Sequence, residues 1–254
     1  MRDHDLWPTP WTLEQFVFAA GQLGRWNGNF LRERPLPDDA WLTRQQYRTW
    51  LEWANPEGRW QAPLNRQHIS NADRQRHDRL WNEREKFFGA LESLPQVFSH
   101  CDSQRRNLFI RHAHGQADEL VLVDWAQAGL VPLGAELTHL VSMSAMILEW
   151  PAATLPELDA AAFESYVQGL REAGWAGNVD TVRLGYAAYV AVYVGGIFPG
   201  WIVAWCAPDG RDFALQFCGI AEEELFWELL PVLSYTLDRA DEARQLMKKL
   251  GLTA

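Results

Sequence analysis

The sequence predicts a mainly α-helical fold with one small β-hairpin. Long segments carry apolar residues three and four positions apart, which is the spacing of an amphipathic helix. Only two short runs are rich in β-forming residues, NLFIRH (107–112) and ELVLVD (119–124), and the loop between them contains Gly115. Two such runs joined by a glycine-containing loop are typical of a hairpin.

Three helices are predicted before the hairpin. The first begins at Thr12, which has the capping-box spacing to Gln15. The second is expected over about 38–54, with Trp41 on its apolar face, and the third over about 71–94. After the hairpin the chain is expected to turn through Gly129, Pro132 and Gly134 and then to form helices near 135–149, 156–173, 180–197, 219–235 and 238–250.

The chain is expected to form one domain over residues 1–254. This domain has a helical part (1–95), a loop with the hairpin (96–131) and a second helical part (132–254). A net charge of −10 argues against a nucleic-acid partner, because phosphate backbones are bound by clustered Lys and Arg. Three cysteines without a C-x-x-C pair, and a charged, proline-broken amino terminus, favour a cytoplasmic location.

One stretch, Leu184–Pro208, contains no charged residue and is long enough to cross a membrane. Gly195, Gly196, Pro199 and Gly200 interrupt it. A buried helix followed by a break is therefore expected here, rather than a membrane span.

The segment HCDSQRRN (100–107), followed by the hairpin and Asp124, carries the chemistry. His100, Asp102 and Asn107 have H-x-D-x4-N spacing. If His112 and Glu119 pair near the turn, Asn107 and Asp124 face each other at the open end, where an amide and a carboxylate oxygen suit Mg²⁺.

Asp102 then lies in the loop that enters the hairpin. There it is placed to accept a proton from a substrate hydroxyl that attacks the γ-phosphate of ATP. His100 is expected to hold the loop by hydrogen bonds. The alternative is that these polar residues only satisfy their own loop backbone.

HCDSQRRN followed after sixteen residues by Asp-Trp resembles the motif of the aminoglycoside phosphotransferase and choline kinase family. The stretches FAAGQLGRWNGNFL and AGLVPLGAELTHL look like the same family, from about Trp11 to at least Leu148. The resemblance implies the C-terminal lobe of a protein-kinase-like fold. It also implies Asp102 as catalytic base, His100 as the motif histidine, Asn107 and Asp124 as Mg²⁺ ligands, and transfer from ATP to a small hydroxyl-bearing substrate.

Two departures place the chain in a divergent branch of this family. The usual Leu-His-Pro-Gly is replaced by Ser103–Arg106, and an Asp-Pro-x-x-Asp-Leu pattern by Pro132–Leu137. Arg105 and Arg106 either offset phosphate charge or lie in a solvated loop. Glu222, Glu223 and Glu224 either meet a cationic substrate or form a solvated helix start. The many tryptophans either line a ring-binding cleft or pack the core.

The β-rich N-terminal lobe of such kinases is expected to be absent from this sequence. No glycine-rich loop between strands precedes His100, and Lys86, the only lysine upstream, lies in a predicted helix. Gly21, Gly24 and Gly28 are expected to permit close helix packing or to end a helix. Two functions follow: a small-molecule kinase whose N-terminal lobe is missing or on a separate chain, or a non-catalytic binding or interaction module.

Overall fold

The computed structural model describes residues 10–32, 36–53, 58, 60–61, 63–112, 117–205 and 218–252. They are mainly helical, as predicted. The helices are α1 (Leu13–Arg32), α2 (Gln46–Trp53), α3 (Pro63–His68), α4 (Asn71–Ser93), α5 (Glu136–Thr138), α6 (Ser144–Met146), α7 (Leu155–Glu172), α8 (Val179–Tyr189), α9 (Phe198–Trp205) and α10 (Glu222–Lys249). Two π-helical turns, His139–Met143 and Val190–Gly195, follow α5 and α8.

Five short strands form two small sheets within the described residues. The strands are β1 (Thr43–Arg44), β2 (Gln96–Ser99), β3 (Leu108–Arg111), β4 (Glu119–Leu122) and β5 (Gly129–Pro132). The antiparallel pair β3–β4 is the predicted hairpin. The other sheet has the order β1-β5-β2, with β1 parallel and β2 antiparallel to β5. The expectation that only the hairpin is β-structure is therefore wrong.

The predicted turn at Gly129–Pro132 is in fact the central strand of that sheet. Its start requires glycine, because a Cβ at Gly129 would lie 2.1 Å from the carbonyl oxygen of Thr43. The same pairing shortens the predicted second helix. Residues 40–45 form a turn and β1, α2 begins only at Gln46, and Trp41 is 64% exposed rather than on an apolar face.

The glycines of α1 pack against α7, as expected for residues that permit close approach. A Cβ at Gly24 would lie 2.1 Å from the carbonyl oxygen of Tyr166, and one at Gly28 would lie 2.7 Å from the Cβ of Ala173. Gly169 of α7 has the same relation to the carbonyl oxygen of Gly21, at 2.1 Å. The two backbones thus touch over two turns of helix, and no phosphate cradle is formed here.

We expect Gly24→Ala to lower the free energy of unfolding by about 1–3 kcal/mol, because the new methyl group must push the α7 backbone away. Gly89→Ala is the matched control. Gly89 lies on the exposed face of α4 with nothing within 4 Å of an added Cβ, so alanine should stabilise the helix by up to about 1 kcal/mol. Urea denaturation of both variants measures the two signs. Equal effects would contradict the packing argument.

The last helix differs from the prediction. The two helices predicted over 219–235 and 238–250 are the single helix α10, which continues through Pro231. Thr236 and Leu237, where the break was expected, are at most 1% exposed, so the buried face of the helix is continuous across them.

One helical segment, Val179–Trp201, is long and apolar enough to cross a membrane. In its most apolar window 89% of the residues are buried inside the protein. It comprises α8, the π-helical turn and the start of α9, with Gly196 and Ile197 forming a turn before α9. This burial agrees with the predicted core helix, and Gly196 and Ile197 form the predicted break. However, the chain is helical again in α9, through Pro199 and Gly200, which were expected to interrupt it. Residues 206–208 lie outside the described part of the chain.

Candidate functional site

The hairpin has a register one residue away from the predicted one. Arg111 pairs with Glu119 and Leu108 with Leu122, so Asn107 lies opposite Val123, whose N–H donates to the Asn107 carbonyl at 3.0 Å. The predicted pairing of His112 with Glu119 and of Asn107 with Asp124 is wrong. In the observed register Leu120 and Leu122 of β4 pack against the core, and Arg111 and Glu119 form an ion pair on the outer face. These contacts explain why the strands pair in this register.

The position of Asp124 is set by its backbone conformation and not by strand pairing. It has a left-handed φ of 61° directly after Val123 and precedes a 3-10 turn, Trp125–Gln127. Non-glycine residues adopt this conformation at a cost, and such residues cluster at functional sites. Asp124 is exposed. Burial is the main cause that raises the pKa of Asp102, and the Asp124 carboxylate acts in the same direction.

Asp102 is held by two side-chain amides. Gln104 Nε2 donates to its Oδ1 at 3.0 Å, and Asn107 Nδ2 donates to its Oδ2 at 2.9 Å. Burial raises the pKa of Asp102 to about 6, while His100 and the two hydrogen bonds act in the opposite direction. Each carboxylate oxygen keeps a lone pair beyond its hydrogen bond, so the group can accept a proton from a hydroxyl at neutral pH.

His100 lies at the end of β2 and is only 1% exposed. Its Nε2 is 2.8 Å from the carbonyl oxygen of Val123, the residue before Asp124. The ring also packs edge-on against Trp125, with the ring centroids 4.7 Å apart. His100 therefore joins the loop of Asp102 to the segment of Asp124, an arrangement that fits the expected holding role.

Asn107 is oriented by its own amide nitrogen. Nδ2 donates to both the carbonyl oxygen and the Oδ2 of Asp102, each at 2.9 Å. No described residue donates a hydrogen bond to Asn107 Oδ1 or to the Asp124 carboxylate. One amide oxygen and one carboxylate are hard donors of the kind that Mg²⁺ accepts together with water and phosphate oxygens. Within the described residues, no group of three or more His, Cys, Asp and Glu side chains is arranged to hold a metal ion by itself.

Glu136 also belongs to this site, although the sequence predicts no role for it and shows only that it lies in a stretch that departs from the family pattern. It is completely buried, and its Oε2 accepts the backbone N–H of His100 at 3.0 Å. Its backbone carbonyl accepts the hydroxyl of Ser103 at 3.3 Å. Glu136 thus fastens the loop on both sides of Asp102. An acid within the apolar run PLGAELTHLV was the available signal, because a buried carboxylate requires a partner.

Two further residues behind the loop, His139 and Tyr193, were not predicted from the sequence. Burial lowers the pKa of His139 to about 3, so its fully buried ring is neutral; it packs against Tyr193, with the ring centroids 5.0 Å apart. Tyr193 is 5% exposed, and the Asp102 carboxylate adds to the burial that raises its phenol pKa. The wall behind Asp102 is therefore aromatic and carries no positive charge from these two groups.

Both loop arginines are largely buried, so the solvated-loop alternative is wrong. Arg105 is 4% exposed and stacks on Trp11 at 4.7 Å from the ring centroid. Arg106 Nε pairs with Glu149 at 2.9 Å, and both side chains are largely buried. These contacts anchor the loop to its surroundings.

The structure also shows the surroundings of the tryptophans next to the site and of the glutamates at the start of α10. Trp26, Phe98 and His100 surround Trp125, with ring centroids 4.7–6.2 Å from it, so the tryptophans next to the site are packed against neighbouring rings. Glu223 and Glu224 are exposed at the start of α10, where negative charge suits a helix amino terminus.

Comparison with known proteins agrees with the geometry. No curated protein matches the chain. The family model of the phosphotransferase enzyme family (APH) matches residues 10–176, a span that contains the loop, the hairpin and Asp124. Since this match covers more than half of the sequence, the chain belongs to the phosphotransferase enzyme family, whose members include the aminoglycoside phosphotransferases.

Proposed function

We propose that the protein is a small-molecule kinase that transfers the γ-phosphoryl group of ATP to a substrate hydroxyl, and that the described chain forms the C-terminal lobe of a kinase-like fold. One observation carries the proposal. The Asp102 carboxylate accepts hydrogen bonds from Gln104 and Asn107, and His100 joins its loop to the segment that carries Asp124. Membership of the phosphotransferase family supports the reaction class.

In the proposed reaction, the acceptor hydroxyl donates a hydrogen bond to Asp102. As its oxygen forms a bond to the γ-phosphorus, the bond from that phosphorus to the β,γ-bridging oxygen breaks and ADP leaves. The hydroxyl proton passes to the Asp102 carboxylate, which is ionised above pH 6 and regains that state by releasing the proton to solvent. The hydrogen bonds from Gln104 and Asn107 keep the carboxylate directed at the acceptor.

Asn107 Oδ1 and the Asp124 carboxylate are the groups that would hold Mg²⁺. When bound, the ion offsets the negative charge of the phosphate oxygens. Its absence would leave the two acids of the site facing a polyanionic nucleotide.

The residues that contact the rest of the nucleotide are proposed to come from a β-rich N-terminal lobe, either encoded upstream or on a separate chain. Among the described residues before His100, β1 and β2 are the only strands, and Lys86 lies within α4. The proposed acceptor is a small hydroxyl-bearing molecule, and a cationic one is favoured because the site carries two acids. The protein is proposed to be cytoplasmic and to have no nucleic-acid or membrane partner.

The direct experiment is a transfer assay with γ-labelled ATP, Mg²⁺ and a panel of small alcohols, amino alcohols and aminoglycosides. Sequencing the coding DNA upstream of Met1 decides which protein is assayed, because an in-frame glycine-rich strand pair with a lysine would be included. We expect label in the acceptor that depends on Mg²⁺ and on the acceptor hydroxyl. Ligand binding without transfer, with every encoded segment present, would contradict the kinase and indicate a non-catalytic module.

A further inference from the structure

A buried glutamine outside the motif, Gln46, connects the two acid-bearing segments. It is the first residue of α2 and is 3% exposed. Its Nε2 donates to the carbonyl oxygen of Cys101 at 3.2 Å and lies 3.4 Å from Gln127 Oε1, while its Oε1 accepts the hydroxyl of Tyr189 at 2.9 Å. A primary amide has two donor hydrogens and one acceptor oxygen, and all of them are engaged here.

The two groups that receive these hydrogen bonds flank the candidate chemistry. Cys101 directly precedes Asp102 and has a left-handed φ of 61°; Gln127 ends the 3-10 turn that begins after Asp124, whose φ is also 61°. The Cys101 carbonyl belongs to the rigid peptide plane that leads into Asp102, so a hydrogen bond on that oxygen fixes the direction in which Asp102 leaves the loop. Left-handed non-glycine residues persist only where their surroundings hold them.

The position of Gln46 is itself fixed by the neighbouring sheet. Strand β1 ends two residues earlier, and the Thr43 N–H donates to the Ala128 carbonyl at 2.9 Å, one residue after Gln127. Gln45, between β1 and α2, has a φ of 51°. Of the four described non-glycine residues with positive φ, three therefore adjoin this hydrogen-bond network.

We infer that Gln46 is a positioning residue that sets the relative placement of Asp102 and Asp124 without contacting the substrate. The inference rests on the proposed function for its catalytic consequence, but its structural part is independent of turnover. Its chemistry is specific: the side chain must offer two donors toward Cys101 and Gln127 and an acceptor toward Tyr189, which only an amide of this length does.

The test compares Gln46→Met with Gln96→Met in the full chain. Gln96 is a half-buried glutamine whose Nε2 also donates to two carbonyl oxygens, those of Leu91 and Leu94, away from the acids. In the transfer assay Gln46→Met should lower kcat about 10²-fold with little change in KM, because the acids are misplaced while the substrate contacts remain. Gln96→Met should change neither constant.

A second readout needs no turnover. The side-chain amide of Asn107, observed by ¹⁵N NMR after asparagine labelling and identified by its loss in Asn107→Ser, reports the hydrogen bond to Asp102. We expect this resonance to shift and to lose protection from solvent exchange in Gln46→Met, and to stay in place in Gln96→Met.

The outcomes are separable. A shifted Asn107 resonance in Gln46→Met, with no phosphoryl transfer by the wild-type protein, would support the positioning role and refute the proposed function. Transfer with an unchanged kcat and an unchanged resonance in Gln46→Met would overturn the positioning role. If Gln46→Met does not fold, Gln127→Met decides, because that side chain is only half-buried: a smaller shift of the same resonance is expected, and none would overturn the inference.

Discussion

Asp102→Asn is expected to lower kcat for phosphoryl transfer by about 10²–10⁴-fold, the range that one general base contributes. Asparagine keeps the shape of the side chain but cannot take the hydroxyl proton. The KM for ATP should change little, since Asn107 and Asp124 remain. Steady-state kinetics with radiolabelled ATP measure both constants. Asp118→Asn is the matched control, because Asp118 carries the same charge near the hairpin turn, where it pairs with His112.

The same carboxylate should set the acidic limb of the pH profile. Only ionised Asp102 accepts the proton, so kcat/KM should rise with pH through a midpoint near 6 in the wild-type protein. Residual activity of Asp102→Asn should lack this limb. An unchanged rate, or an unchanged limb, in the variant would exclude Asp102 as the base.

Stability should respond with the opposite sign. The folded-state pKa of about 6 lies above the ordinary value of 3.8, so the folded state binds this proton more tightly than the unfolded state does. The corresponding stabilisation is complete below pH 3.8 and is lost as pH rises through 6. At pH 8, Asp102→Asn should therefore raise the free energy of unfolding by about 1–2 kcal/mol, a net figure from which the loss of one hydrogen bond has been subtracted. At pH 4 no such increase is expected.

Sequence patterns identified the elements whose signals are local. Helix α4 agrees with its prediction to within one residue, and α7 to within one residue at each end, because each has a continuous periodic pattern with a stop signal. For the glycines of α1 the sequence allows either close packing or a helix end, and their contacts with α7 support close packing. Motif spacing also indicates that Asp102 and Asn107 lie together, since they are five positions apart and a short loop that ends in a 3-10 turn connects them.

The elements that were missed depend on partners distant in sequence. Strand β5 has four residues and no period to detect, and it exists because β1 and β2 lie on either side of it. The hairpin register was chosen by burial of Leu120 and Leu122 and by the Arg111–Glu119 pair, which residue counting from the turn does not reveal. Short strands of this kind are specified by tertiary contacts more than by propensity.

The sequence names the candidate site residues, but it does not reveal the residues that hold their loop in place. Glu136 and Gln46 lie 34 residues after and 56 residues before Asp102, and each acts by hydrogen-bonding the loop backbone, which leaves no motif. The sequence does not reveal the burial of Arg105 and Arg106 for the same reason. Their charge suggested solvent or phosphate, whereas Trp11 and Glu149 bury them.

Asp159→Ala is expected to lower the free energy of unfolding by about 3–5 kcal/mol, the cost of removing one partner from a buried ion pair. Asp159 is 2% exposed on α7. Its Oδ1 accepts from Arg183 NH1 at 2.5 Å, and its Oδ2 accepts from Arg183 NH2 and from Tyr235, each at 3.0 Å, and from Arg239. Removing the carboxylate leaves two arginines with Glu242 as their remaining acid.

Urea denaturation measures this loss, and Glu85→Ala serves as the matched control. Glu85 also pairs with an arginine, Arg48, at 3.0 Å, but its side chain is 65% exposed. Exposed pairs contribute less than about 1 kcal/mol, so the control should be nearly neutral. Similar losses in the two variants would show that burial of the Asp159 network carries no special cost.

The double variant Asp159→Ala/Arg239→Met separates unpaired charge from lost packing. Methionine keeps much of the aliphatic volume of Arg239 and removes one of the two cations that Asp159 neutralises, so the double variant should be more stable than Asp159→Ala alone. A charge-based cost predicts this recovery, whereas a cavity left by the missing carboxylate predicts a further loss. Asp159 joins α7 to α8 and α10. Recovery of stability in the double variant would show that these three helices tolerate an apolar contact where the charges now meet. It would also show that the carboxylate is required chiefly to neutralise the arginines.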